Sequence, residues 1–105
     1  MKTIKELSTQ IQDEIEGAEW YIMRALQFND EHPELAQTLY DISTDELRHV
    51  NLLHSHVVKI IEDYRKKHGE PPASMLAVYE FLHEKQIEDV NEVRMYQSQF
   101  REGKS

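Results

Sequence analysis

Two glutamates and a histidine have side chains and spacing that suit a metal site. Glu46 and His49 are three residues apart, so on a helix a carboxylate oxygen and an imidazole nitrogen point the same way. Glu14 lies on a separate segment, and all three residues interrupt runs of apolar residues at helical spacing. Burying an unpaired charge costs several kcal/mol, so each side chain must be paired, coordinate a metal or turn to solvent.

If the two segments form an antiparallel helical pair, the positions of these residues along the helix axes can be compared. With the turn centred near residue 31, Glu14 lies 17 residues before it and opposite residue 48, between Glu46 and His49. One helix that gives a Glu and a second that gives Glu-x-x-His form half of a dinuclear carboxylate site. Two carboxylates and an imidazole suit Fe or Mn. The sequence therefore predicts half of a di-metal site, completed by a second copy of the chain.

The Glu-x-x-His spacing alone is a weak signal, because it arises by chance in a chain rich in both residues. It occurs again as Glu80 and His83, where the opposite level of the preceding helix carries Lys59 and no further ligand. A solvated helix face is the better interpretation of that pair. The same comparison of levels places His56 opposite His83, whereas His54 is expected to face solvent.

A metal-free interpretation is also open for the first set. Glu46 and His49 would then form an ion pair that faces solvent or a partner helix, and Glu14 would bond Arg48 or Lys5. In that case the polar residues would fix the register of a coiled-coil dimer, and the protein would serve as a helical interaction module. Such a dimer would be indifferent to chelators.

The elements that must position these residues are helices. Pro33 and the segment 69–72 (GEPP) are the breaks in the chain, and neither alternating apolar runs nor Asn-Gly turns indicate strands. We therefore expect an all-α fold with helices over about 3–29, 33–68 and 73–101, and short connections that make successive helices antiparallel. The first two form a hairpin, which with its third helix would be half of a four-helix bundle completed by dimerisation.

Each predicted helix carries an apolar stripe at 3–4 spacing, interrupted by the polar residues described above. The stripes comprise, in the first helix, Leu7, Ile11, Glu14, Ala18, Tyr21, Ala25 and Phe28; in the second, Leu35, Leu39, Ile42, Glu46, His49, Leu53, His56 and Ile60; and in the third, Met75, Tyr79, Leu82, Gln86, Asp89, Val93, Tyr96 and Phe100.

Length and composition narrow the class of protein. The 105 residues suit one domain, 1–105, and a net charge of −8 argues against nucleic acid or an anionic membrane as partner. The chain has no cysteine, which excludes disulfides, Fe–S clusters and thiolate sites. A hydrophobic content of 39% implies a thin core that gains from dimerisation. The first ten residues lack an apolar signal region and no apolar run is long enough to span a membrane, so a cytoplasmic location is expected.

Two segments of the chain resemble the encapsulated ferritins, short members of the ferritin and rubrerythrin superfamily of di-iron carboxylate proteins. Residues 13–21 (DEIEGAEWY) are similar to the motif of that family's first helix. Residues 33–35 (PEL) and 45–49 (DELRH) are similar to the start and the Glu-x-x-His of its second helix. The likeness covers about residues 12–52, and beyond it only length and helicity agree.

The resemblance implies an iron-binding ferroxidase that oxidises Fe²⁺ to Fe³⁺ for storage or detoxification. Two chains would share a di-iron centre, dimers would assemble into a ring such as a decamer, and an encapsulin shell would enclose it. The ligands carried over are Glu14, Glu46 and His49.

The resemblance also suggests roles for residues around the centre and marks one departure. Asp13, Glu16 and Trp20 match positions by which iron reaches the site, and Tyr21 matches a tyrosine beside it. Residues 99–105 show nothing like the shell-targeting peptide usual in the family. A rubrerythrin-like peroxidase is the alternative within the superfamily, but without cysteine for a rubredoxin iron it would need an external electron donor.

Overall fold

Three helices account for almost all of the structure. A computed structural model describes residues 2–103, with α1 at Lys2–Phe28, α2 at Pro33–His68 and α3 at Ala73–Glu102. No strand occurs within these residues. The prediction of an all-α fold is confirmed, and each helix end lies within one residue of its predicted position.

The ends of α2 follow from local chemistry. Pro33 occupies the first turn, where its missing N–H would have no helical partner, and Glu34 places a negative charge at the positive end of the helix dipole. At the other end the last four residues, 65–68, are basic. Gly69 then adopts φ 79°, a left-handed conformation that suits glycine, and its N–H donates to the Arg65 carbonyl at 3.0 Å.

The helices run up, down and up. α2 is antiparallel to α1, because Ala18 meets Ser43 and Glu14 meets His49 further along α2. It is also antiparallel to α3, because Gln97 contacts Ser43 and Tyr79 contacts His54. α1 and α3 meet where Gln86 bonds Ser8. The molecule measures 56 × 20 × 18 Å, and α2, with 36 residues, runs nearly its whole length.

The core between α1 and α2 combines large aliphatic residues with several small ones. Ala18, Ala25, Ala36 and Ser43 are fully buried, which lets the two backbones approach closely. The Ser43 hydroxyl donates to the Ala18 carbonyl at 2.7 Å, a direct bond between the two helices.

The predicted stripes of α1 and α2 are out of phase with the observed core. The buried positions are, in α1, Ile4, Ser8, Ile11, Ile15, Ala18, Ile22 and Ala25, and in α2, Ala36, Ser43, Leu47, Val50, Val57 and Ile61. Only Ile11, Ala18 and Ala25 of the predicted α1 stripe are among them, and none of the α2 stripe is. The stripe in α3 is correct at Gln86, Val93 and Phe100. The apolar residues of the hairpin thus cover two adjacent faces, of which only one is the core of this chain.

Two buried glutamines fix the register of α3. The Gln97 amide donates to the Ser43 hydroxyl at 3.0 Å, and the Gln86 amide donates to the Ser8 carbonyl at 3.1 Å. The glutamines are eleven residues apart, close to three full turns, so both lie on the face that contacts the hairpin. Buried amides are costly unless they are hydrogen-bonded, so any other register of α3 is disfavoured.

We expect Ser43→Ala to lower the free energy of unfolding by about 1–3 kcal/mol, because it leaves the buried Gln97 amide without its acceptor and removes the hydroxyl's bond to the Ala18 carbonyl. Urea unfolding followed by circular dichroism measures the change. Ser55→Ala is the matched control, since that hydroxyl bonds the Leu52 carbonyl at 2.7 Å on an exposed surface. Equal losses in the two variants would contradict this role for Ser43.

One face of the α1–α2 hairpin is left uncovered by α3. The bonds of α3 reach Ser8, Tyr40, Ser43 and His54, which lie on one side of the hairpin. The other side, here called the open face, combines the three predicted ligands with apolar residues that are half-buried or exposed. Its members are Leu7, Glu14, Tyr21, Leu35, Leu39, Ile42, Glu46, His49, Leu53 and Ile60.

None of the three described helices is both long enough and apolar enough to cross a lipid bilayer.

Candidate metal centre

The structure brings the three predicted ligands together. Glu14 of α1 and Glu46 and His49 of α2 each offer one ligand atom, and these atoms all lie within 4.8 Å of one another. The His49 Nδ1 is 3.4 Å from Glu14 Oε2. A carboxylate pair with an imidazole at this spacing can converge on a single cation.

The hydrogen bond between Ser43 and Ala18, one turn away, fixes the positions of these side chains along the helix axes. Because Ser43 bonds the Ala18 carbonyl, Glu46 on the next turn of α2 lies beside the preceding turn of α1. Gly17 of α1 also lies close to it: a Cβ at that position would meet Glu46 Oε2 at 3.4 Å, which is ordinary contact. The Glu46 carboxyl group thus lies against α1 at the level of Gly17, within hydrogen-bonding reach of Glu14.

Neighbouring side chains orient the Glu14 carboxylate. The Gln10 amide donates to Glu14 Oε1 at 3.1 Å, and this leaves Oε2 directed at His49. The Glu14 side chain is 19% exposed and that of His49 is 43% exposed. The group thus lies at the surface of the open face, where a cation or a second chain can reach it.

The two carboxyl groups share a proton. Their mutual hydrogen bond raises the pKa of Glu46 to about 7, with burial adding to the rise. The same hydrogen bond lowers the pKa of Glu14, which therefore accepts while Glu46 donates. Without a metal, the pair avoids having two adjacent negative charges. A bound cation would replace the shared proton and ionise Glu46.

The donor set fits a hard or borderline transition-metal ion. Two carboxylates and one imidazole are ligands that Fe and Mn accept, and three protein ligands leave coordination positions open. The residues present therefore fit the predicted iron, although one chain provides only half of a dinuclear set.

The metal-free ion pairs expected for Glu14 are not those observed. Arg48 is exposed and lies 3.6 Å from Asp45. Lys5 also has no contact with Glu14 in the described part of the chain. The partners of Glu14 are instead Gln10, Glu46 and His49.

The three residues assigned to iron uptake do not join this group. Asp13 and Glu16 are exposed and line a crevice between α1 and α3, together with Lys85. Trp20 is 50% exposed, and the guanidinium of Arg24 lies over its ring at 4.3 Å. All three are therefore on faces of α1 other than the open face.

Tyr21 does lie on the open face, two turns from Glu14. It is half-buried and packs edge-on against the Trp20 ring, with centroids 5.2 Å apart.

The second Glu-x-x-His pair, Glu80 and His83, belongs to no group of three or more acidic or histidine ligands among the described residues. His83 contacts a different histidine from the one that shares its level on α2. Glu80 is exposed. His83 stacks on His54, with ring centroids 4.5 Å apart, whereas His56 is exposed. His56, which shares its level with His83, is exposed and does not contact it, and the expected solvent-facing position of His54 was wrong. Counting residues from the turn predicts only the position along the helix axis, not the direction in which a side chain points. The face of α2 that meets α3 carries Val50 and His54.

Comparison with known proteins identifies no matching family model, no matching curated protein and no matching solved structure. The function must therefore be argued from the site itself.

Proposed function

We propose that this protein is a ferroxidase that oxidises Fe²⁺ to Fe³⁺ at a di-iron centre shared between two chains. The observation that carries the proposal is the convergence of Glu14, Glu46 and His49 on the open face of the hairpin. The resemblance to encapsulated ferritins in the sequence supports the same residues. Iron storage or detoxification is the expected role.

The need for two chains follows from the position of the half site. The three ligands sit among apolar residues such as Leu35, Ile42 and Leu53 that α3 does not cover. A two-fold axis through this face would bring a second identical set of ligands opposite the first and bury the apolar residues of both chains. The result is a four-helix bundle of two hairpins with an inward-facing carboxylate site.

The residues of each chain have separate tasks in the proposed reaction. Gln10 orients Glu14, His49 supplies an imidazole nitrogen, and Glu46 releases its proton when it becomes a ligand. Iron would supply the redox chemistry: two Fe²⁺ would give up two electrons in all, which with two protons reduce O₂ to hydrogen peroxide or hydrogen peroxide to two waters. Carboxylate ligands stabilise Fe³⁺ more than Fe²⁺, which favours the loss of these electrons.

A metal-free dimer is the second candidate, and one observation favours it. The shared proton leaves Glu14 and Glu46 hydrogen-bonded to each other without any cation, so the cluster could serve only to fix the register of two hairpins. The absence of cysteine weighs against the rubrerythrin-like alternative, which would need an external electron donor.

Anaerobic titration with Fe²⁺ tests the proposal. We expect saturable binding of about one iron per chain, because two half sites hold two ions. His49→Ala should lose this binding, whereas His68→Ala, which changes an exposed histidine at the far end of the same helix, should keep it. No saturable binding, or equal binding in both variants, would favour the metal-free dimer.

We expect Fe²⁺ affinity to fall at acid pH. Glu46 has a pKa of about 7, so below that value iron must displace its proton, and affinity should drop by up to about tenfold per pH unit. Above about pH 8 this dependence should disappear, because Glu46 is already ionised. Anaerobic titrations at about pH 6, 7 and 8 in weak buffer measure both affinity and released protons. Equal affinity at pH 6 and 8 would contradict the shared proton.

The wider assembly is part of the proposal on the strength of the sequence resemblance. It comprises a ring such as a decamer, a cytoplasmic location and enclosure in an encapsulin shell. Asp13, Glu16 and Trp20 are proposed for iron uptake on the same basis, and their exposure on α1 would let them meet iron before it reaches the open face.

A further inference from the structure

A second group of metal-binding side chains lies where α2 meets α3, away from the open face. His54 of α2 and His83 of α3 stack with centroids 4.5 Å apart and planes at 12°. Tyr79, one turn before His83, places its hydroxyl 3.4 Å from His54 Nε2. The histidines line a crevice of about 160 Å³, and none of its lining residues is acidic.

We propose that His54 and His83 form a separate binding site for a late divalent transition-metal ion, with Zn²⁺ as the expected occupant. Two imidazoles are the donors that Zn²⁺, Cu²⁺ and Ni²⁺ prefer, whereas the centre on the open face is rich in carboxylates and suits Fe or Mn. Water would complete the coordination, and the Tyr79 hydroxyl lies beside His54 Nε2, at 3.4 Å.

The lone pairs that a metal requires are available. His83 makes ring contacts with His54 and Tyr79, but its nitrogens have no hydrogen-bond partner among residues 2–103. The contact of His54 with Tyr79 is long, so little is lost when Nε2 turns to a metal. Burial, and then the neighbouring His83, lower the pKa of His54, which keeps its imidazole neutral at physiological pH.

The stacked arrangement needs only a local change to bind an ion. A metal lies in the plane of each imidazole that holds it, so the two parallel rings must tilt about their terminal side-chain torsions toward a common point. Such torsions have broad energy wells, and the adjoining crevice gives the rings room. Arg94, a cation, also lines the crevice. Because Arg94 is eleven residues along α3 from His83, the two backbone positions are about 16 Å apart along the helix.

A metal ion at this site would join α2 and α3, which otherwise make few contacts with each other. The hydrogen bonds that fix α3 come from Gln86 and residues after it, whereas before Gln86 the bond from Tyr79 to His54 is the single one to another helix in the described chain. A bridge between His54 and His83 would therefore secure the first three turns of α3 against α2.

Zinc titration followed by NMR of the imidazole Cε1–H signals tests the proposal. The signals of His54 and His83 are assigned from His54→Gln and His83→Gln. We expect both signals to shift together and saturate with one Zn²⁺ per chain, and each variant to lose one zinc equivalent by equilibrium dialysis. His56→Gln, which changes an exposed histidine two residues from His54, should bind as much zinc as the unsubstituted protein.

A second measurement separates this site from the open face. The thermal midpoint of Glu46→Gln should still rise on addition of Zn²⁺, and that rise should be absent when His83→Gln is added. Unshifted His54 and His83 signals at saturating zinc would overturn the proposal, as would unchanged zinc content in both histidine variants.

Discussion

Glu46→Ala is expected to slow Fe²⁺ oxidation by about 100-fold or more, to the rate seen without protein. The substitution removes one of three ligands in each half site and therefore affects both metal positions of the shared centre. It also leaves Glu14 without the carboxyl group that donates to it. Stopped-flow absorbance of Fe³⁺ formation after mixing anaerobic protein and Fe²⁺ with air measures the rate.

Glu80→Ala is the matched control for this experiment. Glu80 also precedes a histidine by three residues, but it is exposed on α3 and has no ligand set around it. We expect its oxidation rate to equal that of the unsubstituted protein. If Glu46→Ala kept the full rate while remaining folded, the assignment of the centre would be wrong.

Leu35→Glu is expected to weaken the dimer by about 100-fold and to abolish oxidation with it. Leu35 is 45% exposed on the open face, so the fold of one chain should tolerate the change. In a two-fold dimer the substitution occurs twice in one interface, and each buried carboxylate lacks a partner. Sedimentation equilibrium gives the dimer dissociation constant, and the oxidation assay gives the activity at the same protein concentrations.

Leu52→Glu controls for the added charge. Leu52 is 54% exposed on α2, but it lies outside the stripe that forms the open face. We expect it to leave dimerisation and oxidation unchanged. Oxidation that survives in a monomeric Leu35→Glu variant would show that one chain suffices, and the shared centre would have to be abandoned.

The helices could be predicted from the sequence because their boundaries depend on local chemistry. Pro33 cannot continue a helix from the residue before it, and Gly69 with Pro71 and Pro72 ends the next one. These signals act over a few residues and require no knowledge of the tertiary structure. The predicted and observed ends differ by one residue at most.

The meeting of Glu14 with Glu46 and His49 could also be predicted, because a short turn fixes the levels of an antiparallel pair. The turn of residues 29–32 leaves little freedom in height, and the contact of Ala18 with Ser43 obeys the same relation. The prediction needed only the position of the turn and the rise of a helix.

The core face of the hairpin could not be predicted in the same way. Apolar residues at helical spacing mark both faces of α2: Leu39, Ile42 and Leu53 lie on the open face, and Leu47, Val50 and Val57 lie in the core. The core face also carries Ala36 and Ser43, whose weak hydrophobicity gives little signal. When a chain has two apolar faces, the sequence pattern of a single copy does not show which of them forms its own core.

Partners that depend on helix rotation were missed for the same reason. Each residue along a helix is rotated by about 100° from the one before, so His54 and His56, two residues apart, point to nearly opposite sides of α2, and His54 is the one that faces His83. The buried amides of Gln86 and Gln97 carry no hydrophobic signal, although Gln86 fell within the predicted stripe. Their partners Ser8 and Ser43 give no hydrophobic signal in the sequence either.

Native mass spectrometry of protein loaded with Fe²⁺ under anaerobic conditions tests the shared centre most directly, because it counts iron separately on monomers and dimers. We predict two irons on each dimer, none on the monomer, and no iron on dimers of His49→Ala. A dimer without iron, or a monomer that carries one ion as readily as the dimer does, would contradict a centre built by two chains.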